Sequence, residues 1–568
     1  MTSNIVDLLG ERAARHPERT ALTFVSDGEQ VSERWSYAEL DARARALAAQ
    51  LNALAPAGSR ALLLYPNGPA YVGALLACFY AGIVCVPAYP PRSAQPHHVE
   101  RLLSIARDAA PSLLLTESLL VPVLEGVKST LPALAGLRIV GTDTPPQASA
   151  SDYVRPELSP EGLALLQYTS GSTATPKGVM VAHQNLLANQ RAIDSAFQMT
   201  DDDVVVSWLP LFHDMGLIGT LLQPLYKGVS SVLMAPQQFM ERPERWLRAV
   251  SRHRGSVSGG PDFAYRLCAE RVDPGAIEGL DLSSWRLAFC GAEPVRYQTL
   301  RAFADRFAPA GFAPGALYPC YGLAEATLLV TGGLRGGGVR ATSFAPEALA
   351  EHRAVPSESG TPLVACGQPQ PEHELLIVDP ETREPLEAGN IGEIFASGPS
   401  IAQGYWQNAE ASEQTFVRRG SKVFLATGDL GFVHEGELFV TGRHKDMIIV
   451  RGQNLYPQDI ERDIEEKVPV VRKGRTAAFS IELGGVERIA IAAEVNARTQ
   501  KLIEPEAVCR AISERVAESH GEAAELVLLL NPGALPITSS GKLQRSACRS
   551  AWQSKTLDTF FVFERSRS

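Results

Sequence analysis

Residues 168–183 form a segment whose side chains are suited to bind phosphate. Its sequence is Tyr-Thr-Ser-Gly-Ser-Thr-Ala-Thr-Pro-Lys-Gly-Val-Met-Val-Ala-His. Anionic phosphate oxygens need hydroxyl, backbone N–H and cationic donors, and the segment offers all three kinds at Thr169, Ser170, Gly171, Ser172, Thr173 and Lys177. A proline precedes the lysine and a glycine follows it, so the segment departs from the Walker pattern and does not start a helix. A polar linker would share this composition but would not explain the apolar runs on either side. We predict a loop that holds a nucleotide triphosphate.

Four further motifs with charged side chains lie far apart in the chain. Glu325 follows a tight turn at residues 321–324 and suits Mg²⁺, which prefers oxygen ligands. Asp429, predicted to lie on a turn, can accept hydrogen bonds from both hydroxyls of a ribose. Arg443 lies in a basic cluster, and Lys542 follows a flexible, hydroxyl-rich turn. Each motif alone is typical of a solvated turn, so their order along the chain carries the information.

The composition limits the classes of protein that could hold these motifs. The chain has 568 residues, too many for one hydrophobic core, and its 45% hydrophobic and 20% charged residues are ordinary for a globular protein. Lys and Arg total 53 against 63 Asp and Glu, and the net charge of −10 argues against a broad nucleic-acid-binding face. Eight cysteines without CxxC spacing are typical of reduced, buried thiols. With no signal peptide visible, we expect a cytoplasmic protein.

Residues 72–89 are uncharged and reach the lower limit for a membrane span. Gly82 divides them into an Ala-rich segment and a β-branched run that ends at Pro87. This pattern predicts a buried helix that leads into a buried strand, and no membrane span.

Helical patterns alternate with short apolar runs over the first part of the chain. We predict helices at 36–54, 99–109 and 242–254, and strands at 60–65, 112–115, 204–208, 229–234 and 287–290. Such alternation predicts parallel sheets covered by helices. From about residue 367 the pattern favours an antiparallel β subdomain, and after residue 443 helices return. The predicted fold class is α/β: a large N-terminal domain of two helix-covered sheets plus a β-barrel-like subdomain, and a small α/β C-terminal domain.

The order of the motifs resembles that of the adenylate-forming superfamily, which includes acyl-CoA synthetases, luciferases and the adenylation domains of peptide synthetases. The resemblance covers nearly the whole chain. It implies that a carboxylate attacks the α-phosphate of ATP, with Mg²⁺, to give an acyl-AMP and pyrophosphate before the acyl group is transferred. It also implies a large adenylation domain at 1–443 and a small lid domain at 444–568, which moves on a hinge at Lys445.

The same resemblance implies roles for individual residues. Lys177 and the loop at 169–177 bind the departing pyrophosphate, and Glu325 is the metal ligand. Asp429 and Arg443 hold the ribose, while Lys542 bridges the carboxylate and α-phosphate oxygens in the transition state. The predicted catalytic residues are therefore Lys542, Glu325 and Lys177. The residues implied to lie against the adenine are Gly291, Ala292, Glu293, Pro294, Tyr321 and Gly322.

Within the superfamily the chain resembles fatty acyl-AMP ligases, which activate fatty acids and pass them to an acyl carrier protein instead of to free coenzyme A. The segments that carry this match are 88–92, 208–217, 259–268, 321–328 and 451–461. An irregular insertion at about 336–366, for which composition alone leaves a functional segment and a tolerated surface loop equally open, falls where this branch has an extra motif that is implied to limit domain rotation. Ala324 is typical of the branch, whereas Cys290 and Leu455 replace residues that are more often Asn and His.

The resemblance implies that a medium- or long-chain fatty acid is the substrate. The implied acyl-binding residues are His213, Met215, Gly216, Phe263, Ala264 and Cys268. The acceptor would be the phosphopantetheine thiol of an acyl carrier protein, expected as a separate chain because no carrier domain is visible before residue 568. The product would enter polyketide, lipopeptide or complex lipid biosynthesis.

Three other functions stay open. A fatty acyl-CoA synthetase would use free coenzyme A as its acceptor. A catalytically silent relative would bind acyl or nucleotide ligands as a scaffold, although the intact charged residues argue against this. An amino-acid adenylation domain would need an anchor for an α-ammonium group, for which Asp214 is a candidate.

Overall fold

The computed structural model describes residues 3–88, 96–130, 134, 136–169, 176–450, 453–483, 486–538 and 541–565. Strands and helices are numbered along the chain. The helices are α1 (Ile5–Arg15), α2 (Tyr37–Asn52), α3 (Pro69–Ala81), α4 (Pro96–Ala109), α5 (Val121–Thr130), α6 (His183–Phe197), α7 (Gln223–Lys227), α8 (Pro236–Glu241), α9 (Glu244–Arg252), α10 (Asp262–Arg271), α11 (Pro274–Ile277), α12 (Tyr297–Phe307), α13 (Pro346–Ala350), α14 (Ala409–Thr415), α15 (Pro457–Lys467), α16 (Ala497–Gln500), α17 (Pro505–His520) and α18 (Arg545–Gln553).

Two mostly parallel sheets form the larger part of the molecule. The six strands of the first run in the order β6 (Arg138–Gly141), β5 (Leu113–Thr116), β3 (Arg60–Leu64), β4 (Val84–Ala88), β7 (Leu163–Thr169) and β8 (Lys177–Ala182). The nine strands of the second run in the order β17 (Gln368–Pro369), β14 (Leu329–Gly332), β13 (Leu317–Gly322), β12 (Leu287–Cys290), β11 (Val257–Gly260), β9 (Val204–Ser207), β10 (Ser230–Met234), β1 (Thr20–Val25) and β2 (Val31–Ser36). Antiparallel pairs lie at the edges, for example β7 with β8 and β13 with β14.

The apolar pattern of the sequence explains how these sheets are covered. Helix α3 is buried on nearly all sides and leads through Gly82 into the buried strand β4, as predicted. Gly82 has φ +67°, a left-handed conformation that ends the helix at little steric cost. A large core, with the aromatic group Trp208, Trp246 and Trp285, packs between the sheets and their helices.

An antiparallel sheet follows, as the turn-rich pattern after residue 367 predicts. It contains β18 (Glu374–Val378), β19 (Gly392–Ser397), β21 (Lys422–His434), β20 (Phe416–Arg419) and β22 (Glu437–Arg443). The insertion forms a hairpin of β15 (Ala341–Phe344) and β16 (Thr361–Val364), with α13 between the two strands. Phe344 anchors it, because its ring packs edge-on against Phe432 and Phe439 of the antiparallel sheet.

The C-terminal part has its own sheet and core. The hairpin of β23 (Ile448–Val450) and β24 (Gln453–Leu455) precedes a sheet in the order β25 (Val471–Leu483), β26 (Val486–Val495), β27 (Leu526–Leu530) and β28 (Thr559–Glu564). Helices α15 and α17 pack on one face through a core that includes Ile460, Ile464 and Val516. Lys473 reaches Glu270 of α10 across the gap to the large part at 3.3 Å. The predicted α/β fold class is confirmed, whereas the exact domain boundaries stay a prediction.

One element has no counterpart among the elements predicted from the sequence. Residues Met215–Leu222 form a π-helical segment that directly follows the segment around His213. Gly216 permits it, since a Cβ at that position would lie 2.2 Å from the carbonyl oxygen of Pro210. π-Helical turns are rare and are found frequently at functional sites.

Candidate active site

Asp429 and Arg443 form a side-chain pair at the edge of the antiparallel sheet. They are direct partners across β21 and β22, and Arg443 Nε donates to Asp429 Oδ1 at 2.9 Å. The Tyr321 hydroxyl donates to the other carboxylate oxygen, Oδ2, at 2.8 Å. The prediction that Asp429 lies on a turn was wrong: it lies within β21, one residue after Gly428, whose φ of +73° breaks the regular strand geometry. The kinked strand fixes the carboxylate more firmly than a solvated turn would.

Glu325 lies in a short 3₁₀ turn, Ala324–Ala326, and its carboxylate is held by Tyr405. The Tyr405 hydroxyl donates to Glu325 Oε1 at 2.8 Å. Burial raises the pKa of Glu325, and this hydrogen bond opposes the rise. The ammonium of Lys177 lies 4.9 Å from the centroid of the Tyr405 ring. Tyr405 therefore joins two of the three predicted catalytic residues, and no sequence motif had pointed to it.

The predicted phosphate loop connects two paired strands. Thr169 at the end of β7 and Lys177 at the start of β8 are partners in the antiparallel register. The chain therefore continues from Lys177 as a second strand and not as a helix, in agreement with the expectation from Pro176. Four of the predicted phosphate ligands, Ser170, Gly171, Ser172 and Thr173, lie outside the described residues.

The predicted adenine-binding residues follow β12 and end β13. Backbone approaches there are close: a Cβ on Gly291 would lie 2.8 Å from the carbonyl oxygen of Cys320, and one on Gly322 would lie 1.9 Å from that of Leu328. Ala292 adopts φ +70°. Between Ala292 and Pro294, Glu293 accepts a hydrogen bond from the Phe263 backbone N–H at 2.7 Å, which ties this segment to α10. The neighbouring carbonyl oxygens leave no room for a side chain at Gly291 or Gly322, so backbone packs directly against backbone here.

The predicted acyl-binding residues lie on two neighbouring elements. His213, Met215 and Gly216 are at the start of the π-helical segment, where the ring of His213 lies 4.7 Å from that of Phe212. Phe263, Ala264 and Cys268 lie on α10, and the last two are fully buried. Phe263 is only partly buried and its ring packs 6.1 Å from that of Trp208. Phe263 is the member of this group that borders the active-site face of α10.

Lys542 enters this site from the C-terminal part of the molecule. Its N–H donates to Thr538 Oγ1 at 2.9 Å, and the neighbouring Gly541 lies so near Phe263 that a Cβ there would be 3.4 Å from Cε1 of the ring. Burial lowers the pKa of Lys542, while the carboxylates of three large-part residues oppose this change and the Arg443 charge adds to it. Those carboxylates are Asp214, Glu293 and Asp429. The structure therefore brings Lys542 together with the predicted ribose and adenine residues.

The donor set suits a nucleotide triphosphate with a divalent metal ion. Lys177, Arg443 and Lys542 supply positive charge, and the buried Glu325 carboxylate is a hard oxygen ligand of the kind that Mg²⁺ prefers. Within the described ranges, no group of three or more His, Cys, Asp or Glu side chains could hold a metal ion by itself. A metal ion at Glu325 would thus need phosphate oxygens or water as its remaining ligands.

Sequence comparison assigns most of the chain to described families. Residues 9–406 match the family described as AMP-binding enzyme. The chain belongs to the AMP-binding enzyme family. Residues 445–561 match a second description, the AMP domain of Disco-interacting protein 2-like proteins. Among the described helices, none has both the length and the apolar character needed to cross a bilayer.

Relatives of this AMP-binding enzyme include fatty acid ligases along its whole length. The medium-chain-fatty-acid–[acyl-carrier-protein] ligase JamA of Moorena producens is 42% identical, covering 98% of this chain and 96% of the relative. The long-chain-fatty-acid–AMP ligase FadD26 of Mycobacterium marinum is 36% identical over 97% of each chain. A solved structure from a study of fatty acyl-adenylate ligases of E. coli and L. pneumophila is 32% identical, covers 98% of each chain and has a TM-score of 0.89. The predicted adenylate-forming fatty acyl-AMP ligase is confirmed, and the protein is a ligase that uses ATP.

Proposed function

We propose that this AMP-binding enzyme converts a medium- or long-chain fatty acid and ATP into acyl-AMP and pyrophosphate, then transfers the acyl group to the phosphopantetheine thiol of a separate acyl carrier protein. The observation that carries the proposal is that Lys542, from a distant part of the chain, is brought to the large part of the molecule next to Phe263 through Gly541, and that its pKa responds to the charges of Asp429 and Arg443. This supports a cation from the C-terminal part acting at the predicted nucleotide site. The names of JamA and FadD26 support the choice of a fatty acid, and that of JamA supports the acceptor.

In the first step, one carboxylate oxygen of the fatty acid bonds to the α-phosphorus as the bond from that phosphorus to the bridging oxygen of pyrophosphate breaks. Negative charge gathers on the α-phosphate and on the leaving pyrophosphate, so fixed cations lower the barrier. We assign the α-phosphate and attacking carboxylate to Lys542, and the β- and γ-phosphates to Lys177. Glu325, held by Tyr405, would hold Mg²⁺, which supplies further charge neutralisation to the phosphates when bound.

The nucleotide is held by groups that are rigid before it binds. We assign the ribose hydroxyls to Asp429, whose two oxygens already face Tyr321 and Arg443. The backbone at Gly291 and Gly322 would lie against the adenine. Preorganised groups lose little freedom when they bind, so binding energy is available to align the α-phosphate.

In the second step, the carrier thiolate attacks the carbonyl carbon of acyl-AMP, a thioester bond forms, and AMP leaves with the electrons of the broken carbon–oxygen bond. The role that we assign to Lys542 belongs to the first step, in which charge gathers on the α-phosphate. We propose that rotation at Lys445, in the turn His444–Asp446 after β22, withdraws Lys542 so that the thiol can approach.

The test is a two-step assay on the full-length protein. Straight-chain fatty acids of increasing length are incubated with ATP and Mg²⁺, and adenylates and pyrophosphate are measured by mass spectrometry and a coupled assay. Either free coenzyme A or a carrier protein bearing phosphopantetheine is then added. We expect acyl-AMP in the first step and acyl transfer to the carrier alone in the second. Efficient acyl-CoA formation would instead favour a fatty acyl-CoA synthetase.

A lysine pair supplies the matched control for the first step. Lys542→Ala should lower the rate of acyl-AMP formation by about 10²–10³-fold, the usual loss when one charge-stabilising donor is removed, while ATP still binds. Lys501→Ala removes an exposed lysine of the C-terminal part and should leave the rate unchanged. If Lys542→Ala forms acyl-AMP at the wild-type rate, the proposed role of Lys542 is wrong.

A further inference from the structure

Arg545 lies between the turn that carries Lys542 and the predicted hinge at Lys445. It is the first residue of α18 and lies three residues after Lys542. Its guanidinium forms a two-pronged pair with Glu461 of α15, from Nε to Oε1 and from Nη2 to Oε2, each at 2.7 Å. Its third nitrogen, Nη1, donates to Asp446 Oδ2 at 3.0 Å. One side chain therefore contacts the helix α15 and the hinge turn at once.

Both partners are fixed to other parts of the structure. Glu461 Oε1 also accepts the Ala478 backbone N–H of β25 at 3.0 Å, so the carboxylate joins α15 to the C-terminal sheet. Asp446 ends the turn His444–Asp446, directly after the predicted hinge residue Lys445. The exposed fractions of the Arg545, Asp446 and Glu461 side chains are 17%, 17% and 5%. Solvent screens an ion pair little in such surroundings. Removing one partner would leave the charge of the other buried and uncompensated.

The turn that carries Lys542 is closed by its own backbone. Lys542 accepts from the Thr538 N–H at 2.7 Å, Gly541 adopts φ +89°, and Gln544 N–H donates to the Pro536 carbonyl at 3.0 Å. These bonds connect the described residues before and after Lys542 in a short segment that leads directly into Arg545. The contacts of Arg545 therefore attach this segment to the rest of the molecule close to Lys542.

We propose that Arg545 is a positioning residue that fixes the Lys542 turn to the hinge segment through Asp446 and to α15 through Glu461. Because Asp446 follows the hinge, the Arg545–Asp446 ion pair would move with the C-terminal part during rotation. It would thereby keep Lys542 in a fixed position relative to that part. The charge of Asp446 also raises the pKa of Arg443, after the larger effect of Asp429, so Asp446 lies between the ribose arginine and Arg545. The inference rests on the proposed adenylation step, in which Lys542 acts on the α-phosphate.

Measuring the two half-reactions separately distinguishes a role of Arg545 in positioning Lys542 from a general role in folding. Acyl-AMP formation needs a correctly placed Lys542, whereas transfer from supplied acyl-AMP to the carrier protein does not. We expect Arg545→Gln to lower kcat for acyl-AMP formation about 10²-fold, the scale of an ångström-sized misplacement of a reacting group, with the KM for ATP nearly unchanged. Transfer from supplied acyl-AMP should proceed at the wild-type rate. Arg545→Lys keeps the charge but not the forked geometry, so its rate of acyl-AMP formation should be intermediate.

A milder variant and a matched control complete the test. Asp446→Asn removes one charge at the hinge end and should slow acyl-AMP formation less than Arg545→Gln does. Combined with Arg545→Gln, it should add little further loss, because both changes break one network. Arg549→Gln removes the arginine one turn later on α18, whose Nη1 donates to Ser480 Oγ at 3.5 Å, and should leave both half-reactions unchanged.

Several outcomes would overturn the inference. Equal slowing of both half-reactions by Arg545→Gln and Asp446→Asn would mean that the network only supports the fold. Wild-type acyl-AMP formation in both variants would mean that it does not position Lys542. If the wild type makes acyl-CoA instead of loading the carrier, the proposed acceptor fails, but the effect of Arg545 on pyrophosphate release still decides this inference. A wild type that releases no pyrophosphate with any acid would overturn both proposals.

Discussion

Two neighbouring carboxyl groups are buried beneath the active site. Asp262 begins α10 and accepts the Arg296 backbone N–H at 2.9 Å, while Glu293 accepts that of Phe263. Burial, and then the negative charge of Glu293, raises the pKa of Asp262 from 3.8 to about 7. These carboxyls serve as hydrogen-bond acceptors that attach the predicted adenine segment to α10. Because burial disfavours the charged form of a carboxyl group, its effect on the free energy of unfolding depends on pH.

The first prediction concerns the stability of Asp262→Asn. Between about pH 4 and pH 7 the unfolded chain loses the Asp262 proton and the folded chain keeps it, so the free energy of unfolding falls as pH rises. The stabilising contribution of the Asp262 proton is complete below the pKa that Asp262 has in the unfolded chain. It is lost as pH rises through the pKa that Asp262 has in the folded protein. Asparagine keeps the acceptor oxygen but cannot ionise. We expect the variant to be more stable than the wild type near pH 8, by about 4 kcal/mol at about 1.4 kcal/mol for each of the roughly three pKa units, with no such gain near pH 4.

Thermal unfolding of both proteins across this pH range measures the effect. Asp202→Asn, which replaces an exposed aspartate, is the control and should show no pH-dependent gain. A difference between Asp262→Asn and the wild type that stays constant with pH would contradict the prediction.

The charged residues predicted for the active site come from motifs in the sequence, whereas the contacts that support these residues could not be predicted from it. Motif order pointed to Glu325, Asp429, Arg443 and Lys542, because each role needs one residue type. Tyr405 lies 80 residues from Glu325, and its hydrogen bond depends on how a strand-rich segment folds back onto the 3₁₀ turn. No local pattern encodes such a contact, so the structure was needed to find it.

At the scale of elements, the insertion contacts the chain just after the predicted hinge. Asn454 of β24 donates from Nδ2 to the Ala350 carbonyl at 3.0 Å and to His352 Nε2 at 2.7 Å. Burial lowers the pKa of His352, and the hydrogen bond with Asn454 opposes this change. The helix α13 thus connects the large part of the molecule to the hairpin of β23 and β24. Such a contact would oppose rotation at Lys445.

The second prediction is that Asn454→Ala loosens this contact. Each lost hydrogen bond is worth about 1 kcal/mol, so the balance between the observed arrangement and a rotated one should shift by about 5–30-fold. We expect acyl-CoA to appear, or to increase, when the variant is incubated with fatty acid, ATP and coenzyme A. Mass spectrometry of the thioester products measures it. Asn496→Ala, at an exposed asparagine of the C-terminal part whose side chain makes no helix-cap bond, should not change the product, and equal acyl-CoA from both variants would contradict the prediction.

Elements with strong periodicity could be predicted, and those that depend on distant packing could not. The buried helix α3 and strand β4 follow from an uncharged run divided by one glycine. By contrast, the motif around Asp429 resembles a turn because of Gly428, whereas pairing with β19 and β22 makes it a kinked strand. The π-helical segment is likewise set by the close approach of Gly216 to Pro210, which lies outside any helical periodicity.

At the scale of the whole molecule, the observed arrangement is the one suited to adenylation. Lys542 lies beside the large-part carboxylates, and Lys473 pairs with Glu270 across the same interface at 3.3 Å. This pair is largely exposed, and such pairs contribute about 0–1 kcal/mol, so the interface can open without breaking a strong contact. Under the proposed mechanism, rotation at the hinge turn would determine which of the two half-reactions the molecule can perform.

The third prediction is that Lys445→Pro separates those half-reactions. The proline ring holds φ near −65°, which agrees with the 3₁₀ turn His444–Asp446 but prevents the large backbone change that rotation needs. Acyl-AMP formation should therefore stay within about tenfold of the wild type, allowing for strain at His444, whose backbone a following proline restricts. Transfer to the carrier protein should fall much further, and acyl-AMP should accumulate on the enzyme as a burst followed by a slow phase. Lys445→Ala keeps φ free and should perform both steps. If Lys445→Pro loads the carrier protein at the rate of Lys445→Ala, rotation at this residue is not required for transfer.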